Sequence, residues 1–126
     1  MIIKSTPARN AACNAVVGLV DEGSAFANGA LNLYRSDSSV LASLNFSVPA
    51  FMDSTNGIAL ANTISDATAI LDGTAIRFSV LNRDRSSIYD GTVSGPGGGG
   101  DLILNPVSML HDTTISIVSA SFTVPV

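Results

Sequence analysis

The stretch Ala42-Ser43-Leu44-Asn45-Phe46-Ser47-Val48 puts apolar side chains at 42, 44, 46 and 48 and short polar ones between them. Successive residues of a strand point to opposite faces, so this period of two predicts a strand with one buried face. Pro49 cannot donate to a ladder and ends the run. The same reading extends in both directions. Leu31 and Leu33 alternate with Asn32 and Tyr34, and Asp37-Ser38-Ser39 supplies a turn before the quoted stretch. Downstream, Gly57 to Ile64 predicts a strand with Ile58 and Leu60 on one face and Ala59, Ala61 and Thr63 on the other. Asp72-Gly73 is a turn, and Ile76, Phe78 and Val80 share one face. Arg83-Asp84-Arg85-Ser86 is a polar turn, from which Ile88 to Val93 returns as a hairpin partner. Leu102 to Leu104 is a short strand.

The longest strand candidate, Thr114 to Val124, changes phase. Ile115 and Ile117 are odd, whereas Val118, Ala120, Phe122 and Val124 are even. One regular strand cannot place both sets in one core, so a bulge or a bend between sheets is expected near Ile117-Val118.

Composition agrees with a β fold. Of 126 residues, 17 are Ser, 9 Thr, 9 Asn and 9 Asp, against one Glu, one Lys and no Gln. Long polar side chains favour helices, while short ones favour turns and strand faces. One helix is expected, over about 7–22. Thr6 would be its N-cap and Pro7 its first residue, with Gly23 as a left-handed cap at its end. Ala8, Ala11, Ala12, Ala15, Val16, Leu19 and Val20 would form its inner face. The expected fold is mainly β: an antiparallel β-sandwich, jelly-roll or Ig-like, with one N-terminal α-helix, forming a single domain over 1–126. Gly95-Pro96-Gly97-Gly98-Gly99-Gly100 reads as an exposed surface loop within it.

Composition also excludes functions. Charged residues make up 13% of the chain and the net charge is −4, so no basic stripe is available for nucleic acid. No apolar run approaches the roughly 20 residues of a membrane span, and the N-terminus lacks the pattern of a cleaved signal peptide. Cys13 is the only cysteine, which rules out an internal disulfide and is compatible with synthesis in a reducing cytosol.

The chemistry-bearing residues are sparse. His111, the only histidine, sits in the turn-like Leu110-His111-Asp112-Thr113, with no nucleophile elbow elsewhere. A hydrolase site is therefore not expected. Cys13 lies one turn from Arg9, which would activate a thiol, but its apolar neighbours favour packing. The Asp residues stand singly beside turn formers, without a calcium-loop pattern. One His and one Cys cannot make a zinc tetrad, and the glycine run lacks the Lys of a phosphate loop. No catalytic residue, metal or cofactor is expected.

Several segments together resemble a known group. They are Thr6-Pro7-Ala8-Arg9-Asn10-Ala11, Val17-x-Leu-Val-Asp21-x-Gly23, Gly29-x-Leu31-x-Leu33-Tyr34 and Val48-Pro49-Ala50-Phe51. They continue with Gly73-Thr-Ala75-x-Arg77-Phe78, Asp90-Gly91-Thr92-Val93, Gly100-Asp101-Leu102-x-Leu104-Asn105 and Ser116-Ile-x-Ser119-x-x-x-Thr123-Val124-Pro125. In this order they resemble small virion proteins of tailed bacteriophages, commonly encoded near the major capsid protein. The resemblance implies a non-enzymatic capsid decoration (cement) or head-associated protein, located on the virion surface and made in the host cytoplasm. Its implied partners are the major capsid protein and copies of itself, a trimer being one such assembly. A tail or head–tail joining protein, and a carbohydrate- or host-binding module, are the alternatives. The latter has little aromatic surface to work with, since the chain has no Trp and only Tyr34 and Tyr89. Met1, Ile2 and Ile3 form an apolar start ahead of the helix, able to lie along a neighbour's sheet edge as a partner contact.

Overall fold

The computed structural model describes residues 2–99, 101–104 and 106–124, with the backbone alone at 118 and 119. Met1 and Gly100, named above in the arm and the glycine loop, lie outside the described residues.

Helix α1 (Thr6–Gly18) begins one residue earlier than expected, because Ser5 rather than Thr6 is the N-cap. The Ser5 hydroxyl accepts the Ala8 amide at 3.3 Å. The helix tightens into a 3-10 turn over Leu19–Asp21 instead of continuing to residue 22. There the Asp21 carboxylate accepts the Ala50 amide at 3.0 Å, drawing the last turn toward another part of the chain. Gly23 (φ +120°) does not cap the helix. A Cβ there would stand 2.8 Å from the Asp84 nitrogen, so this glycine permits close approach to the 83–84 turn.

The helix buries only part of the expected inner face, Val20 fully and Ala12 and Val16 partly. Cys13, Val17 and Val20 are buried, whereas Ala8, Ala11, Ala15 and Leu19 are exposed. A methyl group gains little from burial compared with a Val side chain. The polar residues Arg9, Asn10 and Asn14 also anchor the helix, and they set its rotation.

The sheet contains β1 (Ala30–Tyr34), β2 (Val40–Asn45), β3 (Ile58–Leu60), β6 (Arg77–Leu81), β7 (Ser87–Ser94), β8 (Leu102–Leu104) and β11 (Ile117–Thr123), in the order β2-β1-β6-β7-β8-β11-β3. Two small pairs accompany it, β10 (Thr114–Ile115) with β4 (Ala67–Thr68) and β5 (Gly73–Thr74) with β9 (Ser108–Met109). The protein is thus mainly β with one N-terminal helix, as expected. The large sheet is mixed and not antiparallel throughout as expected, because β7 and β8 run parallel, pairing Val93 with Leu102 and Ser94 with Ile103. The glycine loop makes that connection. Gly97 and Gly99 take positive φ and Gly98 donates to the Gly95 carbonyl, so a short segment doubles back.

Both edges of the sheet are occupied. Beside β3, Met52 donates to the Leu60 carbonyl and Asn62 to the Ala50 carbonyl. Beside β2, Ser65 donates to Asn45, Ile70 to Leu41, and Phe46 bridges Ile64. Residues 58–65 therefore pair with β11 at one end and with β2 at the other, joining the two edges of the sheet.

The alternation around Ala42 holds where the core needs it. Ala42, Leu44 and Phe46 are buried. Leu41 is buried too, since Leu33 pairs with Ala42 and Tyr34 with Val40, leaving Leu41 as a bulge. Val48 is exposed, because the ladder ends at Phe46. Phe78 and Val80 point inward as expected, while Ile76, beyond the end of β6, is exposed. In β3 the two faces separate as expected, and it is Ala59 that is buried while Ile58 and Leu60 face outward. Helix α1 packs over the inner side of β3, and the inward position there is filled by an alanine.

The phase change in the last strand resolves as expected. Ile115 is buried in the β10–β4 pair, the strand is interrupted at Ser116, and β11 joins the large sheet with a register shift between Ile117 and Ser119.

Candidate functional site

Residues 50–62 form a hairpin that the sequence analysis did not resolve. Asn56 (φ 53°) and Gly57 (φ 75°) make its two-residue turn, and Thr55 and Ile58 exchange both backbone hydrogen bonds across it. Positive φ at both central residues is the type I′ geometry that Asn-Gly favours. This dipeptide was the available signal, because it fixes the pairing of Thr55 with Ile58.

Helix α1 clasps the turn. The Asn10 carbonyl oxygen of the side chain accepts the Gly57 amide at 2.7 Å, and that of Asn14 accepts the Ser54 amide at 2.9 Å. The Ser54 hydroxyl donates to the Asn10 backbone carbonyl at 2.9 Å. Arg9 Nε donates to the Val124 carbonyl at 3.1 Å, and the Cys13 thiol points at the Phe122 carbonyl. Arg9 is therefore engaged in anchoring the helix, and Cys13 is wholly buried. Burial pushes the Cys13 thiol above its ordinary pKa, the opposite of nucleophilic activation.

Held in this way, the hairpin displays Met52, Ile58 and Leu60 outward. With Asp53 and Thr55 they line an apolar groove of about 390 Å³. The N-terminal arm also projects into solvent, Ile2 being 85% and Ile3 67% exposed.

A second apolar surface lies on two loops stitched together. Ala69 donates to the Thr113 carbonyl and Asp112 to the Ala69 carbonyl, and the Asp72 carboxylate accepts the His111 amide at 2.7 Å. These bonds fix Ile70, Leu71 and Leu110 in exposed positions, with Leu110 64% exposed. His111 is an exposed member of this turn. Its Nδ1 lies 3.2 Å from the Asp112 carboxylate, and no hydroxyl nucleophile is hydrogen-bonded to it among the described residues. By contrast, the exposed ring of Phe26 is covered by the Arg85 guanidinium at 3.9 Å.

The aspartates mostly act in turns. Asp84 accepts the Ser24 and Ala25 amides, which lower its pKa. Asp37 is lowered to about 2, first by the Ser39 amide, then by the Ser39 hydroxyl and Arg35. Two others flank a cleft of about 350 Å³, lined by Phe78, Tyr89, Asp90, Asp101, Phe122 and hydroxyl side chains. Asp90 is held by Ser79 and Ser87, and Asp101 by Thr92. Tyr89 stacks against Phe122 at 4.8 Å, and burial pushes its hydroxyl well above the ordinary tyrosine range. No cluster of three or more metal-ligating side chains occurs among the described residues.

No family model matches this chain, and no curated protein or solved structure matches it.

Proposed function

We propose that this chain is a non-enzymatic structural protein of a tailed-bacteriophage virion, a decoration or cement protein bound to the outside of the assembled head. Its partner is the major capsid protein, and it acts as a homo-oligomer, with a trimer suited to a local threefold axis. On this reading it is made in the host cytoplasm and resides on the capsid surface. The joined sheet is read as a β-sandwich of jelly-roll or Ig-like type, its two layers formed by the sheet folding over its core.

The observation that carries the proposal is the rigid display of Ile70, Leu71 and Leu110 on the stitched loops. Large apolar side chains held exposed gain free energy only when something covers them. The low charged fraction leaves shape and apolar contact as the means of recognition. One such contact at about micromolar affinity is worth about 8 kcal/mol. Several copies engaged on one oligomer add two to four orders of magnitude of avidity.

The decisive measurement is co-sedimentation with stripped shells and with free capsid subunits across about 0.05–1 M salt, a range over which exposed charges become strongly screened. Binding should require assembled shells and survive high salt, and Leu110→Asp should abolish it. Equal binding to free subunits overturns the avidity mechanism, and no binding to shells overturns the capsid assignment. Copy number per virion separates decoration, with hundreds of copies, from the tail or head–tail alternative, with six or twelve. A carbohydrate- or host-binding module is the second reading. The Tyr89–Phe122 cleft, with its two carboxylates, favours it, and glycan binding lost in Tyr89→Ala would support it.

A further inference from the structure

We propose that the Ile2-Ile3-Lys4 arm of one copy seats in the Met52–Ile58–Leu60 groove of a second copy. The inference rests on the homo-oligomer proposed above, and it gives that oligomer its contact.

The groove and the arm are complementary in two independent respects. The groove is apolar along Met52, Ile58 and Leu60, and the arm offers two isoleucines in sequence. Each is exposed in the same chain, so neither is satisfied by its own copy. The charges match as well. Lys4 is the only lysine, and it has no carboxylate partner among the described residues. Asp53, at the rim of the groove, likewise has no cationic partner among them. An arm that places Ile2 and Ile3 on the groove floor brings Lys4 toward its carboxylate edge.

The fold also defines how the arm docks. The outer edge of β3 is already hydrogen-bonded by residues 50–55, so the arm does not add as a strand there. It docks through side chains, on a surface held stiff by the Asn56–Gly57 turn and the Asn10 clasp. The reach is short. Four residues from Ile2 to the cap at Ser5 span at most about 14 Å, so the two copies must be closely apposed. Arm and groove are different surfaces, and a head-to-tail contact of this kind closes into a ring when its rotation permits.

The test uses two single variants of the full chain, Ile3→Cys and Leu60→Cys, with the buried Cys13 retained and wild type as the control. Mixed under mild oxidation, they should form a disulfide-linked dimer in severalfold greater yield than either variant alone, because only contact between copies joins them. In sedimentation, wild type should be oligomeric, and Leu60→Asp should weaken association at least tenfold while keeping a native circular dichroism spectrum. Lys4→Glu should also weaken it, and combination with Asp53→Lys should restore it. A monomer at millimolar concentration overturns the proposal. So does an intramolecular disulfide, without dimers, in the chain carrying both Ile3→Cys and Leu60→Cys, since that would show the arm filling its own groove. These outcomes leave the capsid assignment to the shell and copy-number measurements, which do not depend on how copies touch.

Discussion

The side-chain oxygen of Asn10 accepts the amide of Gly57 at 2.7 Å, and this bond joins the helix to a turn 47 residues away. Gly57 is buried, and its own carbonyl accepts the Val124 amide at 2.8 Å. Helix, hairpin turn and the end of the last strand therefore meet at one residue.

Removing the Asn10 acceptor leaves the Gly57 amide buried and unpaired. Asn10→Ala should destabilise the protein by about 1–3 kcal/mol, read from urea melts. An unchanged midpoint would mean that water replaces the side chain. Gly57→Ala should cost at least as much, since φ +75° is unfavourable for alanine and a Cβ would stand 2.8 Å from Arg9 Nε and 2.9 Å from the Val124 oxygen.

Phe78 and Gly91 form a second coupled pair. A Cβ on Gly91 would lie 2.5 Å from the Phe78 ring, which occupies the space the glycine leaves. Phe78→Ala should cost about 3–5 kcal/mol, and Gly91→Ala about 1–3 kcal/mol through overpacking. In a Phe78→Leu background, Gly91→Ala should cost less than it does in wild type, and a double-mutant cycle measures that difference. Strict additivity would show that the two residues do not share the space.

Cys13 should resist thiol reagents in the folded protein and react fully in denaturant, because it is buried and its thiol is held in the neutral form. Rapid labelling under native conditions, followed by ellipticity at fixed urea, would contradict this placement.

Asp37 gives a pH signature. Its folded pKa is depressed from 3.8 to about 2, chiefly by the Ser39 amide and hydroxyl. A depressed carboxylate contributes stability above its unfolded pKa and loses it as pH falls toward the folded value. Thermal midpoints should therefore fall between about pH 4 and pH 2, with a shallower slope in Asp37→Asn. Parallel slopes for the two proteins would remove Asp37 from the acid response.

Much of the β architecture was legible in local pattern. The alternation through Ala42, Leu44 and Phe46, the Arg83–Ser86 hairpin turn and the broken phase at Ile117 each reflect a period or a turn residue within a few positions. Such features act over the distance a strand or turn spans, so neighbouring residues suffice to specify them. The candidate surfaces were less legible. The exposure of the arm at Ile2 and Ile3 followed from its place ahead of the helix cap. The outward phase of Ile58 and Leu60 did not, because Gly57 to Leu60 alternates equally well with either face inward.

By itself, then, the sequence determined most strands of the large sheet, the single helix, the turns joining β1 to β2 and β6 to β7, and the break before β11, all through short-range periodicity and backbone preference. Tertiary structure alone decided the rest. Which face of α1 is buried depended on Asn10 and Asn14 meeting the 54–57 turn, bonds spanning 47 and 40 positions. The parallel pairing of β7 with β8 was not readable locally, since Leu102 to Leu104 would serve either direction. The phase of β3 depended on the helix above it: the tight space beneath α1 takes Ala59, and the larger Ile58 and Leu60 are turned out to form the groove. In each case the local free energies of the two choices are nearly equal, and a contact distant in sequence breaks the tie.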